Sequence, residues 1–272
     1  MKVEAIRVSS SWLELREPAD AAARAHELVG QLRSRVQACS WLIHDLGCGS
    51  GAMGRWLAPL LPGPQHWVLH DRYADLLEQA ALNVPGPAAD GAEVAVETRV
   101  SDIARLGPGD FVGATLVTGS ALLDLLTWDE LTALIHASYG AGCPVLFALS
   151  VTGRVQLLPA DPVDTTVAAA FDAHQRRTTA RGRLLGPDAV QAAVESFRQL
   201  GAEVIVRPSP WRLGATDSNL AVEWLTGWVD AAVEQEPALA PDADLYRHRR
   251  VREAATGGLA VTVGHADLLV LP

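Results

Sequence analysis

The spacing of hydrophobic and polar positions changes along the chain in a regular way. Residues 19–38, ADAAARAHELVGQLRSRVQA, bring Ala23, His26, Leu28, Val29, Leu32 and Val36 near one face, which predicts an amphipathic helix. A short segment carrying Trp12 and Leu15 precedes it. Trp41 to Leu46 is then an apolar run closed by glycines. Residues 52–61 set Met53, Trp56, Leu57, Leu60 and Leu61 at the i, i+3, i+4, i+7, i+8 spacing of a buried helix face. The reading is strand, glycine-rich turn, helix.

The alternation continues with a strand over 66–71, a helix over 73–83 stopped by Pro85-Gly86-Pro87, and a strand over 93–99 that runs into Ser101-Asp102. A strand over 113–118, a helix over 121–139 and a strand over 144–150 follow. Short strands separated by helices predict a mostly parallel sheet covered on both faces. Beyond residue 150 the rhythm loosens. The stretch 151–186 holds one helix over 164–178 and the basic run RRTTARGR. A helix over 187–200, opened by Pro187, and a strand over 202–207 restore the pattern. Residues 208–257 form a second insertion with a helix from 218 to 235, an Ala-Pro linker and the run RHRRVR. The apolar stretch 258–271 is a terminal strand.

Composition narrows this picture. At 272 residues, 49% hydrophobic and 20% charged, the chain suits one globular α/β domain with insertions. The N-terminus lacks an apolar signal core, and no stretch of about 18 uncharged apolar residues occurs, so neither a membrane span nor export is expected and a cytoplasmic location follows. A formal charge of −10 argues against a surface that tracks a phosphate backbone, so no nucleic-acid partner is expected. Cys39, Cys48 and Cys143 are widely spaced and form no pair of metal-ligand spacing, so neither a disulfide framework nor a metal site is expected. The expected assembly is a monomer or homodimer.

The chemistry concentrates in IHDLGCGSGAMG, residues 43–54. Counted from Asp45 it is D-x-G-x-G-x-G; counted from Gly49 it is G-x-G-x-x-G, the dinucleotide fingerprint. Both patterns use glycines to turn the backbone sharply after a strand and let a ligand approach it, and Asp71, at the end of the second strand, serves either cofactor. Other features separate them. A carboxylate at Asp45, ahead of the first glycine, repels a pyrophosphate but suits an amino-acid group. A helix precedes the first strand. Asp102 closes the third strand, placed to accept from an exocyclic amine. The last strand follows without a crossover helix, which fits an antiparallel terminal strand.

On these residues the sequence resembles the class I S-adenosylmethionine-dependent methyltransferases, with motif support over 41–150 and topological support over 187–271. The resemblance implies a Rossmann-like, doubly wound, mostly parallel seven-stranded sheet with an antiparallel last strand. It also implies an N-terminal helical cap over 1–40 and helical substrate lids at 151–186 and 208–257. It places the methionine part of the cofactor at Asp45, Gly47, Cys48, Gly49 and Gly51. The ribose falls at Asp71-Arg72, the adenine at Asp102-Ile103, and the sulfonium near Thr118-Gly119-Ser120. Gly54 becomes a small residue that lets the following helix pack closely on the sheet.

The resemblance implies in-line transfer of an activated methyl group and release of S-adenosylhomocysteine, so the protein must align the acceptor and exclude water. A general base is needed only for an acceptor that carries a proton. Asp124, in the apolar ALLDLL, is the first candidate, with His174 and Tyr246 in the insertions as others. His44, His70 and His265 read as core histidines. The turn TGSA lacks the D/N-P-P-aromatic motif of nucleic-acid amino methylation, and Cys143-Pro144 reverses the Pro-Cys of cytosine C5 methylation. A small-molecule acceptor is favoured, in specialised metabolism. The basic runs at 176–183 and 247–252 either hold an anionic acceptor or form solvated faces that balance nearby acids. The alternatives are a non-catalytic cofactor-binding protein and a nicotinamide-dependent oxidoreductase; the latter lacks an evident Tyr-x-x-x-Lys pair, in a chain with very few lysines.

Overall fold

The computed structural model describes residues 8–272; the first seven residues of the expected N-terminal cap lie outside the described ones. The chain begins with two helices, α1 (Ser10–Ala23) and α2 (His26–Arg35), where periodicity predicts one over 19–38. Ser9 opens α1 by accepting a hydrogen bond from the Trp12 amide. The break at Arg24-Ala25 has a tertiary cause: the Ala25 amide donates to Asp267 Oδ2 at 2.8 Å, so a carboxylate on the last strand takes a backbone donor that a continuous helix would use. The segment carrying Trp12 and Leu15 is therefore helical itself.

The sheet is built from β1 (Trp41–Leu46), β2 (Gln65–Asp71), β3 (Val94–Val100), β4 (Leu116–Ser120), β5 (Val145–Leu158), β8 (Glu203–Pro208) and β10 (Ala260–Leu271) in the order β3-β2-β1-β4-β5-β10-β8. The short hairpin β6 (Thr178–Thr179) and β7 (Gly182–Arg183) stands apart, and β9 (Trp211–Leu213) pairs with β10 as an eighth strand. The pairs β3–β2, β2–β1, β1–β4 and β4–β5 are parallel, and β10 runs antiparallel to both β5 and β8. This is the Rossmann-like sheet expected, with its last strand reversed and β9 added. The strand order turns back between β1 and β4, the point at which open α/β sheets bind ligands.

Two cores sandwich the sheet. One packs Leu131, Leu134 and Phe197, from α5 (Trp128–Gly140) and α7 (Ala189–Gln199), on Val117 and Phe147. The other packs Leu28, Leu32 and Leu57, from α2 and α3 (Ala52–Leu57), on Ile43 and Trp67. A Cβ at Gly54 would stand 3.1 Å from Pro85, which is why the first turn of α3 carries no side chain there. The helix α4 (Ala74–Leu82) follows β2.

A third core belongs to the insertions. Here α6 (Asp164–Gln175), α8 (Ser218–Gln235) and α9 (Ala240–Ala255) bury Val167, Trp228 and Tyr246 together with Trp211 of β9. The sequence reads 236–252 as a linker and a basic run; α9 replaces that reading. Three of its four arginines are committed inside the insertion. Arg250, 1% exposed, donates to Asp164 and Glu253, Arg249 to Asp161, and Arg247 pairs with Asp230.

A second departure concerns 121–139. Thr127 accepts from the Glu130 amide and donates its own amide to the Glu130 carboxylate, a capping box that fixes the helix start at Trp128. Residues 121–126 are therefore a turn, with a single 3-10 turn at Leu123–Leu125. Among the described residues no helix is long and apolar enough to cross a membrane.

Candidate functional site

The turn after β1, the ends of β2 and β4, and α1 enclose a cleft of about 1160 Å³ including its mouth. Gly47, Gly49 and Gly51 all have positive φ, at 60°, 54° and 85°. Gly49 shows the reason for the residue type. Its amide donates to Asp71 Oδ2 at 3.0 Å, and a Cβ there would lie 3.1 Å from Leu13 of α1, so the roof closes directly over the glycine backbone. Asp71 also accepts from the Tyr73 amide through Oδ1 at 3.0 Å, and so braces both the glycine turn and the turn after β2.

At the floor stands Asp45, fully buried. Its Oδ1 accepts from the Thr118 hydroxyl at 2.8 Å, whereas Oδ2 has no partner among the described residues. Burial pushes its pKa up to about 7, against the pull of the Thr118 hydrogen bond and of the Arg24 charge. Arg24, from the break after α1, is 2% exposed and lines the same cleft. Its Nη2 donates to Ser120 Oγ at 3.2 Å and its guanidinium lies 5.3 Å from the Trp56 ring, but Nε and Nη1 find no partner among the described residues. Burial lowers the Arg24 pKa, with Asp20 and Asp267 acting in the opposite sense. The neighbouring Arg16 is by contrast fully engaged, with two bonds to Asp20, which also accepts from Trp211 Nε1 at 2.9 Å.

Of the residues expected around a cofactor, Asp45, Gly47, Cys48, Gly49, Asp71, Arg72, Ile103 and Ser120 line this cleft. Gly51, Thr118 and Gly119 stand behind its wall. Gly51 closes the turn onto α3, Thr118 holds Asp45, and a Cβ at Gly119 would meet Leu122 and Phe147 at 3.2 Å each. Asp102 departs from its expected place. Its carboxylate caps the following turn through the Ala104 amide at 3.3 Å and pairs with Arg72, leaving Ser101 and Ile103 on the wall. Arg16, Asp20, Arg24 and Arg181 are wall residues the sequence reading missed. One signal was available: arginines spaced by eight on an otherwise alanine-rich helix repeat on one face.

Ser101 is backed by a buried chain. His70 Nδ1 lies 3.0 Å from Ser101 Oγ, and His70 Nε2 lies 3.0 Å from His44 Nδ1. Burial holds both imidazoles at a pKa of about 4, so they are neutral near pH 7 and each can both donate and accept. They are core histidines that fix one hydroxyl of the wall.

The three candidate bases separate. Asp124, on the turn after β4, lines a second cavity that shares Arg16, Ala121 and Leu125 with the first. Burial pushes its pKa up to about 6. His174 and Tyr246 line neither cavity, which corrects their expected role. The His174 ring faces Glu234 at 3.3 Å and Arg177 within the insertion. Tyr246 is fully buried, its hydroxyl donates to Asp164 at 2.6 Å, and desolvation with that carboxylate raises its pKa well above the usual phenol range. At the junction of the two cavities Ala121 has φ 51°, and Leu149, on the neighbouring strand β5, has φ 55°, both left-handed conformations that cost non-glycine residues energy.

Fold and site together define a Rossmann-like α/β protein with a ligand cleft at its switch point and a second cavity under its insertions. No protein-family model matches the sequence, and no curated protein matches it. Solved structures similar to it include a SAM-dependent methyltransferase from Thiobacillus denitrificans in complex with S-adenosyl-L-homocysteine. That alignment has 15% identity and a TM-score of 0.47, and covers 98% of this chain and 100% of the other. Magnesium protoporphyrin IX methyltransferase from Synechocystis PCC 6803, with bound SAH, aligns at 12% identity over 99% of this chain and 90% of the other, with a TM-score of 0.49. A cyclopropane synthase from Mycobacterium tuberculosis aligns at 11% identity and a TM-score of 0.49, over 97% of this chain and 94% of the other.

Proposed function

We propose that the protein is an S-adenosylmethionine-dependent methyltransferase acting on a small-molecule acceptor. One observation carries the reading: Arg24 and Asp45 are both buried in the wall of one cleft, and each keeps polar atoms without a partner. A buried unpaired charge is costly, and two of opposite sign around one cleft match a zwitterion. An α-amino acid end supplies a carboxylate for Nε and Nη1 of Arg24 and an ammonium for Oδ2 of Asp45. A dinucleotide phosphate would instead place an anion beside Asp45.

In this reading Arg24 and Asp45 hold the amino-acid end, the Gly47–Gly51 backbone lets it approach, and Asp71 and Arg72 face the ribose. Ser101 and Ile103 flank the adenine. The cofactor supplies a methyl group already activated on sulfur. The chain's own work is to bind, orient and keep water out: Leu13 closes on Gly49, and Leu122, Leu125 and Leu126 dry the passage toward the second cavity. Asp124 stands across that passage, where a carboxylate can take a proton from an acceptor.

Calorimetric titration with S-adenosylmethionine, S-adenosylhomocysteine and NAD tests the reading. Micromolar binding of the first two and none of NAD is expected; saturable binding of NAD alone would replace the methyltransferase with a nicotinamide-dependent enzyme.

A further inference from the structure

The second cavity, about 880 Å³ with its mouth, has a composition of its own. Four aromatic side chains form its walls: Trp12 from α1, Phe171 from α6, Trp211 from β9 and Trp224 from α8. Trp12 and Trp211 lie 6.3 Å apart between ring centroids, and Trp224 is stacked on Trp228 at 5.2 Å, so the walls are held by their own packing. Flat, rigid surfaces of this kind suit a flat ligand.

Buried polar atoms without a protein partner stand among these rings. Gln175 Oε1 is buried with no partner among the described residues. His265 is 6% exposed, its Nδ1 is likewise unpartnered, and burial holds it at a pKa of about 3, so it is neutral. Among the described residues Asp124 makes no hydrogen bond with another side chain, and it is close enough to feel the Arg16 charge. Buried acceptors left without donors are expensive, and a ligand that brings O–H or N–H groups relieves them.

Charge excludes another class. Arg16 is paired with Asp20, five of the eight arginines of the two basic runs are bound to Asp188, Glu130, Asp161, Asp164 and Asp230, none of the eight lines the cavity, and the wall itself adds Asp124 and Asp172. Arg154 is the one wall arginine with no ion pair among the described residues, and it is exposed. The site is not built for a phosphate or a multiply charged acid.

Resting on the methyltransferase reading, we infer that the second cavity binds an uncharged planar aromatic acceptor carrying hydroxyl or amine donors, with Asp124 as the group that takes the proton from the reacting hydroxyl. In that step the acceptor O–H bond breaks, the proton passes to a carboxylate oxygen of Asp124, and the electron pair stays on the acceptor oxygen. Asp124 is placed for it: Ala121 and Leu125, on the same turn, belong to both cavities, so the carboxylate looks into the acceptor side from the boundary.

The experiment is a binding titration read by tryptophan fluorescence, on the full chain with and without S-adenosylhomocysteine. The probes are 2-naphthol and 7-hydroxycoumarin, their methyl ethers, and cyclohexanol. Saturable binding of the two hydroxyl compounds is expected, at least tenfold tighter than the ethers and cyclohexanol. In Asp124→Asn and in Gln175→Leu the hydroxyl-over-ether preference should fall below threefold, with the affinity for S-adenosylhomocysteine and the melting temperature unchanged. Equal binding of hydroxyl compounds and ethers, or no binding of either while S-adenosylhomocysteine binds, overturns the inference. Loss of S-adenosylhomocysteine binding alone overturns the cofactor reading and leaves the cavity to be judged by the probes on the unloaded protein.

Discussion

Arg24, at the break after α1, and Asp45, near the end of β1, line one cleft, have side chains of opposite charge type, are 2% and 0% exposed, and are joined by no hydrogen bond or ion pair. Direct pairing would satisfy both. Their separation keeps each available to a third party, which is how a binding site differs from a structural salt bridge.

On the proposed function, the Asp45 carboxyl should make cofactor affinity depend on pH. Its pKa, raised from 3.8 to about 7, means that between those values the folded chain holds a proton that the unfolded chain has released. Ligand-free stability therefore falls as pH rises through that window. Binding of an ammonium group needs the ionised form, so affinity for S-adenosylhomocysteine should weaken about tenfold from pH 7.5 to pH 6. Calorimetry in buffers of different ionisation enthalpy should register proton release near pH 6.5, and Asp45→Asn should flatten the profile.

Replacing Arg24 by Met separates function from stability. Loss of charged hydrogen bonds to a carboxylate, worth roughly 1.5–3 kcal/mol, should weaken S-adenosylhomocysteine binding about 10- to 100-fold. Removing a buried guanidinium with two unpartnered nitrogens should leave the ligand-free melting temperature equal or higher. A marked drop in melting temperature would make Arg24 a structural residue.

Gly49→Val meets two obstacles at once, a φ of 54° and a Cβ position 3.1 Å from Leu13. Cofactor binding should fall below detection by calorimetry. Pairing it with Leu13→Ala should relieve the contact but not the backbone strain, so only part of the affinity should return.

Tyr246→Phe tests the removal of Tyr246 from the catalytic set. It deletes a hydroxyl that donates to Asp164, while Arg250 still holds that carboxylate. A loss of about 1 kcal/mol in urea unfolding is expected, with cofactor affinity and turnover unchanged.

What the sequence disclosed follows the range of the forces involved. Alternating strands and helices, the Asp45-to-Gly51 turn and Asp71 were legible because strand periodicity and glycine backbone demands are local. The break at Arg24-Ala25 was not, because it depends on Asp267, more than two hundred residues away. Nor was α9, whose arginines read as a solvated run until Asp161, Asp164 and Asp230 came within reach. The helix predicted over 121–139 overran its start because leucines favour helix and the Thr127 capping box was not weighed against them. That miss hid the turn on which Asp124 stands. Arg24 was overlooked for a related reason: an arginine on a helix reads as solvated until the fold buries it.

Asp267 ties more of the molecule together than any motif in its neighbourhood suggests. From the middle of β10 its carboxylate accepts from the amides of Ala25 and Leu149 and from the Ser209 hydroxyl. During synthesis on the ribosome the glycine turn and the first five strands emerge well before the carboxylate on β10 that anchors α1 and α2. The roof over the cleft can lock only once β10 has been made, so a chain stalled before β10 should display the turn without being able to close it.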